Sequence, residues 1–447
     1  MRKYLWIGAI SAAVLLCLSG CSNPEGGDGK DKEAAPVEIE AAASGYDPAW
    51  EQLFDETEIS EAFREDLREF AFDSTAAASS KTDGNMVFSP LSLYYALSIL
   101  GTGASGETEA EILEALGVRD KAELASQCGK LYRRYVYSQE QEKAIAGENG
   151  IEAQESAVRL ANSLWISEKH VLNPKYQELC SEEFYASSYY VDFTDPETGK
   201  QIGKWISDQT EGALAPTMEI PSDTVLAILN TLYFYGGWLD RFDEGLTKEE
   251  PFYLQDGREV TVPFMNRTNL PGSFFRGDGY TLSSLAANNG CEMLFLLPDE
   301  GVDPAVLLDN GEALQEIFAA SRDQWETGEI VWKIPKFSFG SSFDLEEMLK
   351  ALGMERMFDS FLAEFADLSE TPLYVNQAIQ ETHIGIDEDG VEGAAYTMIL
   401  MEESGLWMPE DTDRVEMILN RPFLFAVHDR VNDVWLFLGM CADPSLS

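Results

Sequence analysis

Basic residues are scarce in this chain. Only 31 Lys and Arg stand against 79 Asp and Glu, for a formal net charge of −48 over 447 residues. Phosphate backbones are gripped by Lys and Arg, so this imbalance excludes nucleic acid as a partner. Histidine is scarcer still. His170, His383 and His428 lie far apart in sequence, and no GxSxG elbow accompanies them. Gly103-Ala104-Ser105-Gly106-Glu107 misses that pattern by one residue and reads as a helix start. A lone histidine inside an apolar run, as at His383 and His428, is usually a satisfied structural residue. There is no CxxC pair and the acids are scattered, so no metal-ligand cluster forms. The chain reads as a non-enzyme with no cofactor.

An apolar run long enough to span a membrane as a helix, ~20 residues, is also missing. Leu5 to Leu18 comes nearest. Arg2 and Lys3 precede it and Leu18-Ser19-Gly20-Cys21 closes it, the form of a secretory leader ending in a lipobox. That pattern predicts cleavage before Cys21 and lipid on its sulfur; an ordinary leader ending near a cysteine is the plainer alternative. Ser22 to Gly45 has no aromatic residue and is rich in Gly, Ala, Asp and Glu, so it reads as a disordered tether. Such a chain of ~24 residues spans roughly 25–30 Å on average. The expected organisation is a leader over 1–20, a lipidated cysteine and tether over 21–47, and one large domain over 48–447. The product would be anchored in the cell envelope, outside the cytoplasm, with the charge at −50 once Arg2 and Lys3 are gone. Cys128, Cys180, Cys291 and Cys441 read as buried free thiols, since a domain this large needs no disulfide.

What is abundant is apolar periodicity. Glu51 to Ala78 has helical spacing, with Phe63, Leu67, Phe70 and Phe72 among acids. Leu91 to Leu100 is apolar almost throughout and should be a helix buried in the core. Ser105 with Glu107 to Leu116 gives an amphipathic helix capped at Ser105. Gln139 to Ser156 is polar and reads as an exposed insertion. Leu160 to Ile166, Val225 to Phe234 and Leu373 to Ile386 have the length and composition of central strands, and Phe343 to Leu352 that of a short helix. The segment after Leu373–Ile386 is the most informative. Gly390-Val391-Glu392-Gly393-Ala394-Ala395-Tyr396-Thr397 is made of small residues, yet it alternates as a strand does. Val391, Gly393, Ala395, Thr397, Ile399 and Met401 would share one uncharged face. It reads as a loop able to become a strand in a sheet with one face on a core.

Several blocks, in order, carry a resemblance to a known family. Asn85-Met86-Val87-Phe88-Ser89-Pro90-Leu91-Ser92 resembles the serpin "NVFFSPLS". Leu229-Asn230-Thr231-Leu232-Tyr233-Phe234 with Trp238 and Phe242 resembles "LVNAIYFKGKWxxxF". Ile334-Pro335-Lys336-Phe337 and Leu419-Asn420-Arg421-Pro422-Phe423-Leu424-Phe425 also fall in family order, and residues 390–397 resemble the hinge of the serpin reactive loop, "GTEAAAAT".

The resemblance implies an α+β fold with three sheets, about eight or nine helices and an exposed reactive loop near the carboxy terminus. It implies a monomeric suicide-substrate inhibitor of serine proteases, with cysteine proteases as a second class. The loop would be attacked, cut and inserted into the central sheet, as strand-adding loops do. The hinge would comprise Glu388, Gly390, Val391, Glu392, Gly393, Ala394, Ala395 and Thr397. The family's spacing from Glu388 puts the cut between Ser404 and Gly405, with Met401 and Leu406 as alternates. Ser89, Ser92, Asn230 and Gln380 would form the region where the sheet opens, and Lys336 and Trp238 would latch its top against Glu388. No Lys or Arg occurs between Val391 and Thr412, so elastase-, chymotrypsin- or subtilisin-like proteases are the expected partners. A serpin-shaped binding or storage protein is the rival reading.

Overall fold

The computed structural model describes residues 10–20, 37–39, 58–80, 84–148, 157–308, 310–319, 324–391 and 413–446. Its first sheet has the strand order β12 (Phe337–Asp344), β13 (Leu373–Ile386), β1 (Ile10–Gly20), β6 (Thr224–Gly237), β4 (Ala157–Ser167), β5 (Ala186–Val191), β2 (Val37–Ile39). The two-residue β14 (Gly390–Val391) pairs with β6 beyond the end of β1. The second sheet runs β15 (Arg414–Ile418), β11 (Glu326–Pro335), β8 (Glu259–Arg276), β9 (Tyr280–Ala286), β10 (Cys291–Pro298), β16 (Phe423–Asp429), β17 (Val434–Cys441), β3 (Met86–Phe88), with β7 (Lys248–Tyr253) also on β8. The long β8 joins what would otherwise be separate second and third sheets.

Helices pack on these sheets: α1 (Glu61–Ser79), α2 (Pro90–Gly103), α3 (Gly106–Ala115), α4 (Lys121–Glu148), α5 (Pro174–Glu182), α6 (Pro196–Gln209), α7 (Pro304–Leu308), α8 (Gly311–Phe318) and α9 (Glu346–Ala351). All of α2 is buried, as its nearly continuous apolar sequence requires. Ser89 caps it and Pro90 opens it, where a missing N–H costs nothing. One core fills the space between α2, the inner face of the first sheet and the second sheet; a separate cluster lies on the outer face of the first sheet, under Ile202 and Ile206 of α6. Among the described residues no helix is long and apolar enough to cross a membrane.

The amino terminus departs most from expectation. Ile10–Gly20 is an interior strand of the first sheet, antiparallel to β13 on one edge and to β6 on the other. Ser11 to Ser19 are buried. A strand covered on both faces needs apolar residues at every position rather than alternation, and a leader sequence has that composition. Ala12, Val14, Leu16 and Leu18 enter the main core, while Ala13, Leu15 and Cys17 enter the cluster under α6. The segment expected to be a leader is therefore part of the core in the full chain. Within the expected disordered tether, Val37–Ile39 forms an edge strand on β5.

Smaller corrections have local causes. The amino-terminal helix begins at Glu61, not Glu51, because Ser60 Oγ accepts from Phe63 N at 3.2 Å and caps it there. The expected insertion 139–156 is helical as far as 148, as the last turns of α4. Phe343 ends strand β12, where it packs edge-on against Phe88, so the helix there is only Glu346–Ala351. Cys128, Cys180, Cys291 and Cys441 are buried free thiols as expected, and burial pushes Cys128 and Cys180 up to about 12.

The cap of α3 also differs. Ser105 makes no side-chain cap bond to its own helix; its Oγ accepts from Ala366 N at 3.3 Å instead. The free amides of α3 are met by Glu364, whose Oε2 accepts from Glu107 N at 2.9 Å. A carboxylate at a helix amino terminus satisfies an orphan donor and the helix dipole together. Glu364→Ala should therefore lower stability by about 1 kcal/mol, read as a reduced midpoint in urea unfolding with an unchanged slope.

Candidate functional site

The site is built where β13 ends and the chain turns back toward β6. Its pivot is Glu388, only 6% exposed. Lys336, just after β11, pairs with its Oε2, and Thr247 Oγ1 donates to its Oε1 at 2.6 Å. Phe242 N donates to the Glu388 carbonyl at 3.0 Å. The expected pairing of Lys336 with Glu388 is thus present, and Glu388 is a buried carboxylate with several partners rather than half of an exposed pair. Burial opposes the charge on Glu388, but the hydrogen bonds from Lys336 and Thr247 outweigh it and hold the carboxyl below its usual range.

Trp238 binds the same turn. Its backbone N donates to Asp389 O at 3.1 Å and its indole Nε1 to Asp387 O at 3.0 Å. Arg241 pairs with Asp389 at 3.0 Å. These contacts direct Gly390 and Val391 onto Gly237 and Gly236 of β6. Gly390 has φ +116°, and a Cβ there would lie 2.3 Å from Trp238 N, so both its conformation and its space require glycine. The turn brings three acids together. Asp387 is pushed up to about 6, chiefly by burial and further by Asp389 and Glu388, against the opposing pull of the Asp389 amide and Lys336.

Lower in the sheet, the residues expected to govern opening do meet. Gln380 on β13 clasps the Ser89 backbone: its Oε1 accepts from Ser89 N at 3.0 Å and its Nε2 donates to Ser89 O at 2.9 Å. Ser89 Oγ donates to Leu436 O on β17 at 2.9 Å. Ser92 Oγ donates to Asn230 Oδ1 on β6. Asn230 Nδ2 donates to Asn162 Oδ1 at 2.8 Å, and Asn162 Nδ2 to Phe184 O at 2.7 Å. A neutral chain of hydrogen bonds therefore links α2 to β6, β4 and the start of β5. Every buried member has a partner, as buried polar groups must. Val14 of β1 lies between Gln380 on one side and Asn230 on the other, so the two halves of this region stand a strand apart.

Sequence reasoning missed Asn162, Thr247, Asp387 and Asp389. An asparagine in the largely apolar Leu160–Ile166 run was the available signal for the first; the others are ordinary polar residues until the chain is folded. Glu392, Gly393, Ala394, Ala395, Thr397, Met401, Ser404, Gly405 and Leu406, together with Cys21, lie outside the described residues. His428 proves a satisfied structural histidine, between Asp433 at 2.9 Å and Glu292 at 3.4 Å and stacked on Trp435.

Because Asp387 is raised from 3.8 to about 6, it contributes stability that is present below its ordinary value and lost as pH rises through about 6. Asp387→Asn, which can still accept the Asp389 amide, should be more stable than wild type at pH 8 and lose that advantage at pH 4. Melting temperatures of both proteins at the two pH values check this. Glu388→Gln should show the opposite sign, its deficit present at pH 8 and shrinking in acid.

A family model described as serpin (serine protease inhibitor) matches residues 65–444. Over 377 residues the chain is 29% identical to Serpin-ZX of Arabidopsis thaliana, covering 81% of this chain and 93% of that protein. It is also 29% identical over 376 residues to Serpin-Z7 of Hordeum vulgare, with 81% and 91% covered. The solved structure of Arabidopsis AtSerpin1 in its native stressed conformation aligns with a TM-score of 0.69 at 26% identity, covering 86% of this chain and 99% of that one. The thermophilic serpin tengpin, in its native state, shares the fold with a TM-score of 0.70 at 21% identity, covering 92% and 100%. With most of its length matched by the family model, the chain belongs to the serpins, a family of serine protease inhibitors.

Proposed function

We propose that the processed chain, beginning at a lipidated Cys21 and held at the cell envelope, inhibits serine proteases: its loop is cut and acylates the protease's serine, and the cut loop then inserts between β6 and β13. The observation that carries this reading is β14. The chain leaves β13, crosses to β6 and pairs antiparallel with Gly237 and Gly236, already aimed down the edge where a new strand would form. Continuing that register residue by residue sets Gly393 opposite Phe234, Ala395 opposite Leu232 and Glu403 opposite Thr224. Ser404 would then be the first residue past the end of β6, in keeping with a cut between Ser404 and Gly405. About fifteen inserted residues at ~3.3 Å each would carry an acylated protease roughly 50 Å. The driving force is a new ladder of backbone hydrogen bonds with apolar side chains buried on both faces.

Alternation places Gly393, Ala395, Thr397, Ile399 and Met401 toward the main core. Tyr396 would fall on the other face. That face lies under α6, in the cluster holding Ala13, Leu15 and Ile206, so insertion there involves repacking α6. A trypsin-like pocket would leave its carboxylate unpaired against Ser404, which disfavours such enzymes strongly. Proteases with small or apolar pockets are the better match.

Ala395→Glu should place an unpaired carboxylate in the core, a cost of several kcal/mol. The variant should be cut at the same bond but release active protease, seen as loss of the detergent-stable complex on gels. Mass spectrometry of the fragment freed from the wild-type complex should locate the bond after Ser404. A cut after Arg414 with fast inhibition of trypsin would overturn the assignment.

A further inference from the structure

The strand that the loop would form and the strand that the leader does form occupy the same place. Both β1 and β14 pair with the same edge of β6 and run antiparallel to it, hence in the same direction as each other. The pairing of β14 uses Gly237 and Gly236, and that of β1 begins at Phe234, opposite Ile10. On the register continued from Val391, Ala12 holds the position of Ala395, Val14 that of Thr397, Leu16 that of Ile399 and Leu18 that of Met401. These four leader side chains are fully buried in the main core. On its other edge β1 pairs with β13 from Ile384 to Leu373. Neither edge of the slot is left for the loop.

We infer that the leader is an intramolecular blocker: a chain that folds before its leader is removed is locked in a strand-filled form that proteases cut but do not become trapped by. Composition favours the leader over the loop as occupant. Its strand carries no charge from Ile10 to Gly20, whereas an inserted loop would bring Glu402 and Glu403 to the far end of the slot. Val14 and Leu16 are also as apolar as, or more apolar than, Thr397 and Ile399, whose positions they fill. Cleavage after Gly20 in an already folded chain would not by itself clear the slot, because the pairing holds the strand on both sides. The order of events, leader removal before folding, therefore decides whether an inhibitor is made. This rests on the loop-insertion reading above.

The test uses the full chain, retained in the cytoplasm and purified unprocessed, beside its Leu16→Asp variant. Leu16 is wholly buried in the core, so a carboxylate there should drive β1 out and leave β6 and β13 free. Each protein is melted before and after its loop is nicked with a trace of subtilisin. The expected result is no rise in melting temperature for the wild-type full chain, a clear rise for Leu16→Asp, and complex formation with subtilisin only by the variant. An equal rise in both proteins would overturn the blocker while leaving loop insertion intact. A rise in neither, with β1 shown to be displaced in the variant, would overturn loop insertion itself. Hydrogen exchange on the wild-type full chain decides without any variant whether the leader fills the slot. Amides of residues 11–19 should be protected as long as those of β6, and rapid exchange there would sink the proposal.

Discussion

A β-sheet covered on both faces cannot leave an internal edge unpaired. Backbone N–H and C=O groups there have no water to turn to, and each orphan is costly. The edges of β6 and β13 are such groups, with the main core beneath and α6 above. They must pair with each other or with something between them. Everything distinctive in this fold follows from that requirement. The clasp of Gln380 on Ser89, the hydrogen-bond chain through Ser92, Asn230 and Asn162, and the latch at Glu388 all sit along this seam.

The two parts of the seam use different physics. At the sheet's middle the polar side chains are uncharged amides and hydroxyls, which can exchange partners without carrying a bare charge through the core. At its top the contacts are ionic and crowded, with Asp387, Glu388 and Asp389 gathered against Lys336 and Arg241. Neutral contacts suit a surface that slides, whereas charged ones fix a corner from which a strand can start. Gly390 completes that corner, because only a residue without Cβ can pass so close to Trp238.

Much of this was legible in the sequence. Helix α2 and strands β4, β6 and β13 announce themselves through apolar runs of the right length, and the motifs around Ser89, Asn230 and Lys336 pointed to residues that the fold brings into contact. What escaped was non-local. Glu364 caps a helix more than 250 residues away, and no periodicity signals that. Glu388 is expected to pair with Lys336, but its burial under Thr247 and Phe242 is set by chain segments some 140 residues away. Strand β1 escaped for another reason: its apolar composition meets the requirements of a secretion signal and of a doubly covered strand equally well. Only the pairing distinguishes the two.

That double fitness has a consequence for the life of the nascent chain. Cys17 and its partner Gln377 are 360 residues apart, so at ~5–20 residues per second the ribosome needs roughly 20 to 70 s to make β13 after the leader has appeared. For that whole interval residues 10–20 have no completed slot to enter and remain without their second pairing partner. A sheet that depends on such distant pairing is also slow to assemble once synthesis ends. Placing the last partner strand near the end of the chain works as a timer, delaying burial of that segment until almost the whole domain has been made.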